Sequence, residues 1–363
     1  MTSSPRSTYQ IAVLPGDGIG VEVIDATLPL LEHLARRFGF ALRMQRWPAG
    51  AIHFRDTGEA LPEPTFEAAR VADAILFGAM GWPEVRQADG TEIAPQLDLR
   101  VRLGLYAGVR PARAIRGMPG ALADPRAADI DLVIVRESTE GLFASRGVGT
   151  VEDDATARDT MVITRAGTRR VADFAFRLAA RRKARGRPGV VTCVDKANVF
   201  RSMAFFRKVF DETALAHPGI EARHHYVDAT ALDLVRKPWD FDVMVTENMF
   251  GDILSDLAAG LVGGMGMAPS GDIGDDHGLF QPCHGSAPDI AGRGLANPTA
   301  TFLSAALMLD WLADRHADPR LAAAATALER AVDEAYGSGA VRPPEAGGNH
   351  GTAAVRDAVL ARL

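Results

Sequence analysis

Asp252 and Asp256 stand four residues apart in "VTENMFGDILSD" (245–256), behind a run that reads as a strand. A helix puts both carboxylates on one face, where they repel unless they are merely solvated or a cation sits between them. Asp228, in "HHYVDATALDL", follows another strand candidate and could supply a third oxygen ligand. Three carboxylates, with no nearby cysteine or clustered histidine to suggest zinc, suit a hard octahedral ion such as Mg²⁺ or Mn²⁺. On these residues alone, a helix that carries acids in its first two turns and gains only from its dipole fits equally well.

Arg100, Arg102 and Arg110 in "LDLRVRLGLYAGVRP", with Arg136 in "IVRESTEG", could clamp a multiply charged small acid. A guanidinium holds a carboxylate with two parallel hydrogen bonds. Surface salt bridging is the plainer alternative, although Arg136, the first charge after a fully apolar strand, is placed like a site residue. Lys196 in "VTCVDKANVF" lies beside Asp195 after a buried-strand candidate and before a helix expected from near Asn198. Desolvation there could make it a base; an exposed lysine at a helix start is the alternative. In "LPGDGIG" (14–20), Gly16, Gly18 and Gly20 permit tight turns and leave N–H groups near a helix start, a place that favours anions. The spacing G-x-G-x-G is not the dinucleotide G-x-G-x-x-G, and no acid closes a second strand at the ribose distance, so a plain turn also fits.

Stepping outward, these residues are carried by short β-rich runs that alternate with amphipathic helical stretches: "QIAVL", 72–79, 131–135, 189–195 and 241–247. Such alternation predicts an α/β architecture with much parallel sheet. The first helix is expected over 21–37, with Val21, Ile24, Leu28, Leu31, Ala35 and Phe38 facing the core and Pro29 kinking it or shifting its register. Further helices are expected over 297–313, over 319–336 and from Thr352. No repeat or low-complexity linker marks a domain boundary. The 363 residues allow two domains or one large α/β unit, and the formal charge of -6 excludes a broad nucleic-acid footprint. Two distant cysteines, Cys193 and Cys283, exclude a disulfide framework and fit a reducing compartment. The leading "MTSSPRSTYQ" lacks an apolar signal core, and Asp310 breaks "FLSAALMLDWLA" well short of a membrane span. The expectation is a soluble cytoplasmic protein with no membrane partner.

Taken together and in this order, "LPGDGIGVEV", "LRVRLGLYAGVRPAR", "VRESTEG", "VDKANVF", "YVDA", "NMFGDILSD", "HGSAPDIAG" and "ANPTA" resemble the family of β-decarboxylating dehydrogenases of isopropylmalate, isocitrate, homoisocitrate, tartrate and D-malate. The resemblance implies a two-domain α/β fold of the isopropylmalate dehydrogenase type. Its central mixed sheet is flanked by helices and is not a true Rossmann fold. A coenzyme domain would comprise 1–104 plus 259–363, and a substrate and dimerisation domain 105–258. Arg100, Arg110 and Arg136 would hold the malate-type carboxylates, with Gln96, Leu97 and Asn198 also lining the substrate. Asp252 and Asp256 would bind Mg²⁺ or Mn²⁺ together with Asp228 from the other subunit of a homodimer, and Lys196, also from the neighbour, would be the base. NAD is the implied coenzyme, because "HGSAPDIAG" matches NAD-using members where NADP-using relatives resemble "HGTAPKYAG". Asp289 would accept hydrogen bonds from the adenosine ribose and repel a 2′-phosphate. Ile19, Gly285, Ser286 and Ala287 would line the coenzyme, and His284 and Asn297 would pack and bond the adenine.

Two departures matter. Phe143 stands where the family has a tyrosine that protonates the carbon losing CO₂, and a phenyl ring has no proton to give. "TEIAPQLDLR" lacks both the acid and paired leucines of isopropylmalate enzymes and the Ser and Asn by which isocitrate enzymes meet a third carboxylate. It has Ile93, Pro95, Gln96 and Leu97 instead. An amide at Gln96 favours a substituent with a polar end. The expected activity is therefore NAD- and metal-dependent oxidation and decarboxylation of a 3-substituted malate. A tartrate, D-malate, isocitrate or homoisocitrate dehydrogenase is an enzyme alternative, and a catalytically weak regulatory paralogue is an alternative of another class.

Overall fold

The computed structural model describes residues 7–363; residues 1–6 of the leading segment, read above as lacking a signal core, lie outside the described residues. Among the described residues, no helix is long and apolar enough to cross a membrane. The chain forms two compact units, one of Met1–Leu103, Ile115–Pro119 and Val262–Leu363, the other of Gly104–Ala114 and Gly120–Leu261.

In the first unit, five strands lie in the order Ala41–Arg46, Thr8–Gly16, Ala74–Ala79, Gly278–Pro282, Pro269–Ile273. The first four pair in parallel and the last is antiparallel. Every residue of Ala74–Ala79 is buried, as a strand covered on both faces requires, and its sequence is accordingly an unbroken run of apolar and small residues. Helices Ile19–Phe38, Thr299–His316 and Pro319–Gly337 flank this sheet and enclose a core that includes Ile11, Ile24, Leu30, Phe77, Phe280 and Phe302. The first helix runs with Pro29 inside it, but its buried stripe is Val23, Ile24, Thr27, Leu30, Leu31 and Leu34, and Val21 is exposed. Of the expected stripe Ile24, Leu31 and Ala35 are buried and Leu28 and Phe38 half-buried, so only its start at Val21 is displaced, onto Ile19 and Val23. Ile19 and Val23 pack with Ala296 against Ala287, Ile290 and Ala291, a distant surface that local periodicity could not reveal. Tyr9 donates to Asp318 (2.8 Å), the N-cap of Pro319–Gly337, which also accepts the Arg320 N–H at 3.0 Å. The Arg320 guanidinium holds Asp318 down to about 2, while burial and Asp318 push the Tyr9 hydroxyl up to about 12.

In the second unit, the order is Ala107–Arg113, Asp131–Glu137, Val243–Thr246, Val190–Asp195, Glu221–Tyr226, with the first pair antiparallel and the rest parallel. Phe176 stacks on Phe210 at 5.1 Å between helices Arg165–Ala184 and Arg201–Ala214. Buried Asp242 braces the strand ends by accepting from Gly189 N–H (2.8 Å), Val190 N–H (3.1 Å) and Arg182 Nε (2.7 Å). A mixed sheet flanked by helices is the expected fold class. The helix expected near Asn198 begins instead at Arg201. Residues 196–200 form a turn first, because Asp195 accepts the Ala197 N–H at 2.8 Å and the Lys196 carbonyl accepts from Val199 and Phe200.

Candidate active site

Within the second unit, Thr246 pairs with Arg136 on one side and with Val194 on the other, so three parallel strands end together. Arg136, the Glu247–Asn248 corner and Lys196 therefore emerge at the carboxyl ends of strands, where open α/β sheets bind ligands. Arg136 is 3% exposed. Its Nε donates to Asn248 Oδ1 at 2.8 Å, its Nη1 bonds Asp252, and its Cζ lies 4.9 Å from the centre of the Phe143 ring. Asn248 in turn donates from Nδ2 to the Glu140 carbonyl at 2.9 Å. Helix Asn248–Leu261 approaches so closely that a Cβ at Gly251 would stand 2.7 Å from Arg136 Cβ. Only glycine leaves room there.

Asp252 and Asp256 do share one face of that helix. Burial and the neighbouring Asp252 push the Asp256 carboxyl up, and the cations Arg110 and Arg136 pull it down. Buried Arg110 comes from Ala107–Arg113, the strand antiparallel to the one that ends at Arg136. Asp228 is not brought to this pair within the chain: it bonds Lys196 (Oδ1 to Nζ, 2.6 Å), and that contact holds its carboxyl below the usual range. No group of three His, Cys, Asp or Glu that could hold a metal ion occurs among the described residues. Asp195, the neighbour of Lys196 in sequence, lies buried beneath Arg207, which forks onto it at 2.7 and 2.8 Å. Asn198 is exposed on the turn after Lys196.

The first unit carries the remaining substrate candidates. Buried Arg100 pairs with Asp272 at 3.0 Å, and Gln281 Nε2 donates to the same carboxylate at 2.9 Å. Gln96 and Leu97 lie half-buried on the same helix, Pro95–Arg102, and Gln96 Oε1 is buried without a hydrogen-bond partner. Arg102 leaves the clamp, for it bonds Glu63 at 2.8 Å and covers the Phe66 ring at 3.3 Å.

Coenzyme candidates gather around 284–297. The Ile19 N–H donates to the Ser286 carbonyl at 2.8 Å and the Gly20 N–H to Asp17, so the first amides of the glycine loop serve the fold and not an anion. Gly18 sits at φ 56°, where an added Cβ would stand 2.1 Å from the Ser286 carbonyl. The Ser286 hydroxyl donates to the Gly81 carbonyl, and Asp17 accepts the Gly81 N–H at 2.9 Å along with those of Ala51 and Ile52. Gly285 is exposed, and Ala287 holds a strained φ of 38°, the kind of outlier that clusters at ligand sites. His284 Nδ1 meets the Gly285 carbonyl at 2.9 Å, which makes Nδ1 the protonated nitrogen; burial lowers the ring's pKa, so it stays neutral. Its Nε2 is buried and unpartnered. Asp289 is exposed, not enclosed.

These groups fit the expected ligands. Asp252 and Asp256 are hard oxygen donors of the type Mg²⁺ and Mn²⁺ take, short of a full set in one chain. The bare His284 Nε2 and the 284–297 segment suit a flat nitrogenous base. Sequence reasoning missed Asn248, Asp272, Gln281 and Arg207. Asn248 had a signal, a polar residue between a strand and a helix; the others carry no local mark that sets them apart from surface polar residues.

The family model described as isocitrate/isopropylmalate dehydrogenase matches residues 10–359. A "3-isopropylmalate/3-methylmalate dehydrogenase" of Methanocaldococcus jannaschii is 43% identical over 358 residues, covering 98% of this chain and 99% of the relative. A "homoisocitrate dehydrogenase" of the same organism is 43% identical over 312 residues, 84% of this chain and 86% of the relative. The crystal structure of an isocitrate dehydrogenase from Methylococcus capsulatus superposes with TM-score 0.84 at 36% identity, covering 98% of this chain and 99% of that one.

Proposed function

Because the chain belongs to the isocitrate/isopropylmalate dehydrogenase family, we propose that it oxidises and decarboxylates a 3-substituted malate, using NAD and Mg²⁺ or Mn²⁺. The observation that carries this reading is Arg136, a buried guanidinium fixed beside Asp252 and backed by Asn248 and Phe143. A cation held there, next to two carboxylates, suits a substrate whose own carboxylate approaches a metal ion. When bound, the ion would supply Lewis acidity at the hydroxyl and carboxylate oxygens, and NAD would supply a hydride acceptor.

The chain's own residues do the rest. Arg100, Arg110 and Arg136 hold and orient the two malate carboxylates, and Asp252 and Asp256 hold the metal. Lys196 takes the hydroxyl proton. His284 Nε2 and Asn297 meet the adenine, with Asp289 at the ribose, while Ile19, Gly285, Ser286 and Ala287 line the coenzyme. The unpartnered Gln96 Oε1 supports a substituent that carries a hydrogen-bond donor, so the pocket reads a polar end and not a bare isopropyl group. The Phe143 ring can brace Arg136 but cannot protonate carbon, so that proton comes through water.

A homodimer completes the site. Asp228 and Lys196 pair in the single chain, which supports their delivery as a unit to a second copy. Leu232 and Val235 on helix Val227–Arg236 and Ile253 on Asn248–Leu261 are 55%, 49% and 62% exposed, an apolar face suited to such a partner. The soluble, cytoplasmic setting expected from the composition goes with this reading.

A panel of 2-hydroxy diacids and triacids, 3-isopropylmalate, tartrate, D-malate, isocitrate and homoisocitrate included, tests the proposal by NADH and CO₂ release with Mn²⁺. The expected result is turnover of at least one 3-substituted malate. If no acid yields NADH while NAD and Mn²⁺ still bind, the regulatory paralogue that Phe143 favours replaces the enzyme.

A further inference from the structure

Asp195 ends the strand Val190–Asp195, is wholly buried, and is occupied at both oxygens. Its Oδ1 accepts the Ala197 N–H at 2.8 Å and Arg207 Nη2 at 2.7 Å. Its Oδ2 accepts Arg207 Nε at 2.8 Å and the Cys193 thiol at 3.5 Å. The bond to Ala197 reaches over Lys196, whose own carbonyl accepts the N–H groups of Val199 at 3.0 Å and Phe200 at 3.1 Å. The lysine's backbone is thus closed on both sides. Across the sheet, Asp195 pairs in register with Tyr226, which stands two residues before Asp228. Arg207 Cζ lies 5.1 Å from the centre of the Tyr226 ring, so one guanidinium meets the last residues of two neighbouring strands.

A buried carboxylate whose charge is not compensated takes up a proton or turns toward water. Arg207 supplies the compensation as a two-pronged fork, a geometry that a lysine cannot reproduce. Without the fork Asp195 is free to turn and release the Ala197 N–H, and the turn that carries Lys196 loosens with it. We infer that Arg207 is a positioning residue: through Asp195 and the Tyr226 ring it ties two strand ends together, and so holds Lys196 Nζ at 2.6 Å from Asp228 Oδ1. It acts through these residues and not on the substrate. The inference rests on the reading of Lys196 as the base and adds what keeps that base in place.

Hydrogen exchange and steady-state kinetics on the whole protein test this together. Arg207→Lys keeps the charge and loses the fork. Exchange of the 196–200 amides should quicken by ~10-fold or more in it, while helix Arg201–Ala214 stays within ~3-fold of wild type. For whichever acid the wild type oxidises, kcat should fall by ~10- to 100-fold with KM within ~3-fold, because the arginines assigned to the acid lie on other elements. Asp195→Asn leaves the fork a single oxygen and should show the same split, which keeps the test decisive if the first substitution prevents folding. Were Arg207 needed only for its charge, Arg207→Lys would keep normal exchange and full kcat; either result overturns the inference. So does a loss that appears in KM and not in kcat. A wild type that oxidises no acid overturns the base reading instead, and the exchange arm still reports on the brace, so the two failures are told apart.

Discussion

Replacing Gly251 by alanine adds one methyl group and removes no functional atom, yet it should disable the site. The new Cβ would stand 2.7 Å from Arg136 Cβ, 2.8 Å from Cγ and 3.1 Å from Cα. Atoms this near the main chain cannot rotate away. Helix and strand must part by roughly 1 Å to restore the ~3.5–4.0 Å of ordinary carbon contact. Overpacking of this kind costs ~1–3 kcal/mol, and alanine returns ~1 kcal/mol over glycine in a helix, so the net loss of stability is only ~0–2 kcal/mol. The displaced group is the buried guanidinium assigned to the substrate, and a shift of ~1 Å there costs on the order of 10²-fold in kcat/KM. Urea unfolding and NADH kinetics on the same preparation separate the two effects. A variant that is folded, fully active and more stable than wild type would refute the close approach and the role assigned to Arg136.

Asp252→Asn should weaken Mn²⁺ binding by ~10-fold or more and lower turnover, with NAD titration unchanged; full activity in a chelator would sink the metal assignment. Because Asp289 is exposed, its repulsion of a 2′-phosphate is partly screened to ~1–4 kcal/mol at 4 Å, and NAD should be preferred over NADP by ~10- to 100-fold in kcat/KM. Asp289→Ala should abolish that preference, and equal use of both coenzymes by wild type contradicts it. Asp318 has a folded pKa held down to about 2, below its unfolded value, so its contribution is present above pH ~4 and fades as pH falls toward 2. Asp318→Asn should cost ~1–3 kcal/mol at pH 7, and thermal melts should show the difference shrinking in acid; a constant difference down to pH 2 would contradict the ion pair.

The α/β class was legible because Ala74–Ala79 and Val190–Asp195 are buried throughout and their sequences are nearly unbroken apolar and small residues. Arg136 was legible too, as the first charge after such a run. Strands such as Ala41–Arg46 and Glu221–Tyr226, at the edges of their units, were hard to read because exposed positions carry polar residues without clean alternation. Long-range partners left no local trace: Asp272, which Gln281 meets across the hairpin of the last two strands, pairs with Arg100 from a distant helix. Asp195 shows how little adjacency in sequence says about partners. It stands next to Lys196, yet Asp195 turns inward to Arg207 while Lys196 bonds Asp228.

The bonds that join Ser286 to the glycine loop limit how modular the coenzyme segment can be. Its carbonyl serves the Ile19 N–H and its hydroxyl serves Gly81, whose own N–H is anchored on Asp17 at the start of helix Ala51–Thr57. An engineer who transplanted 284–297 from a relative with another coenzyme preference would be exchanging a joint and not a cassette. A graft that keeps Ser286 and the close fit of Gly18 beneath it can vary the exposed position 289 freely. One that does not must redesign three separate stretches of chain at once.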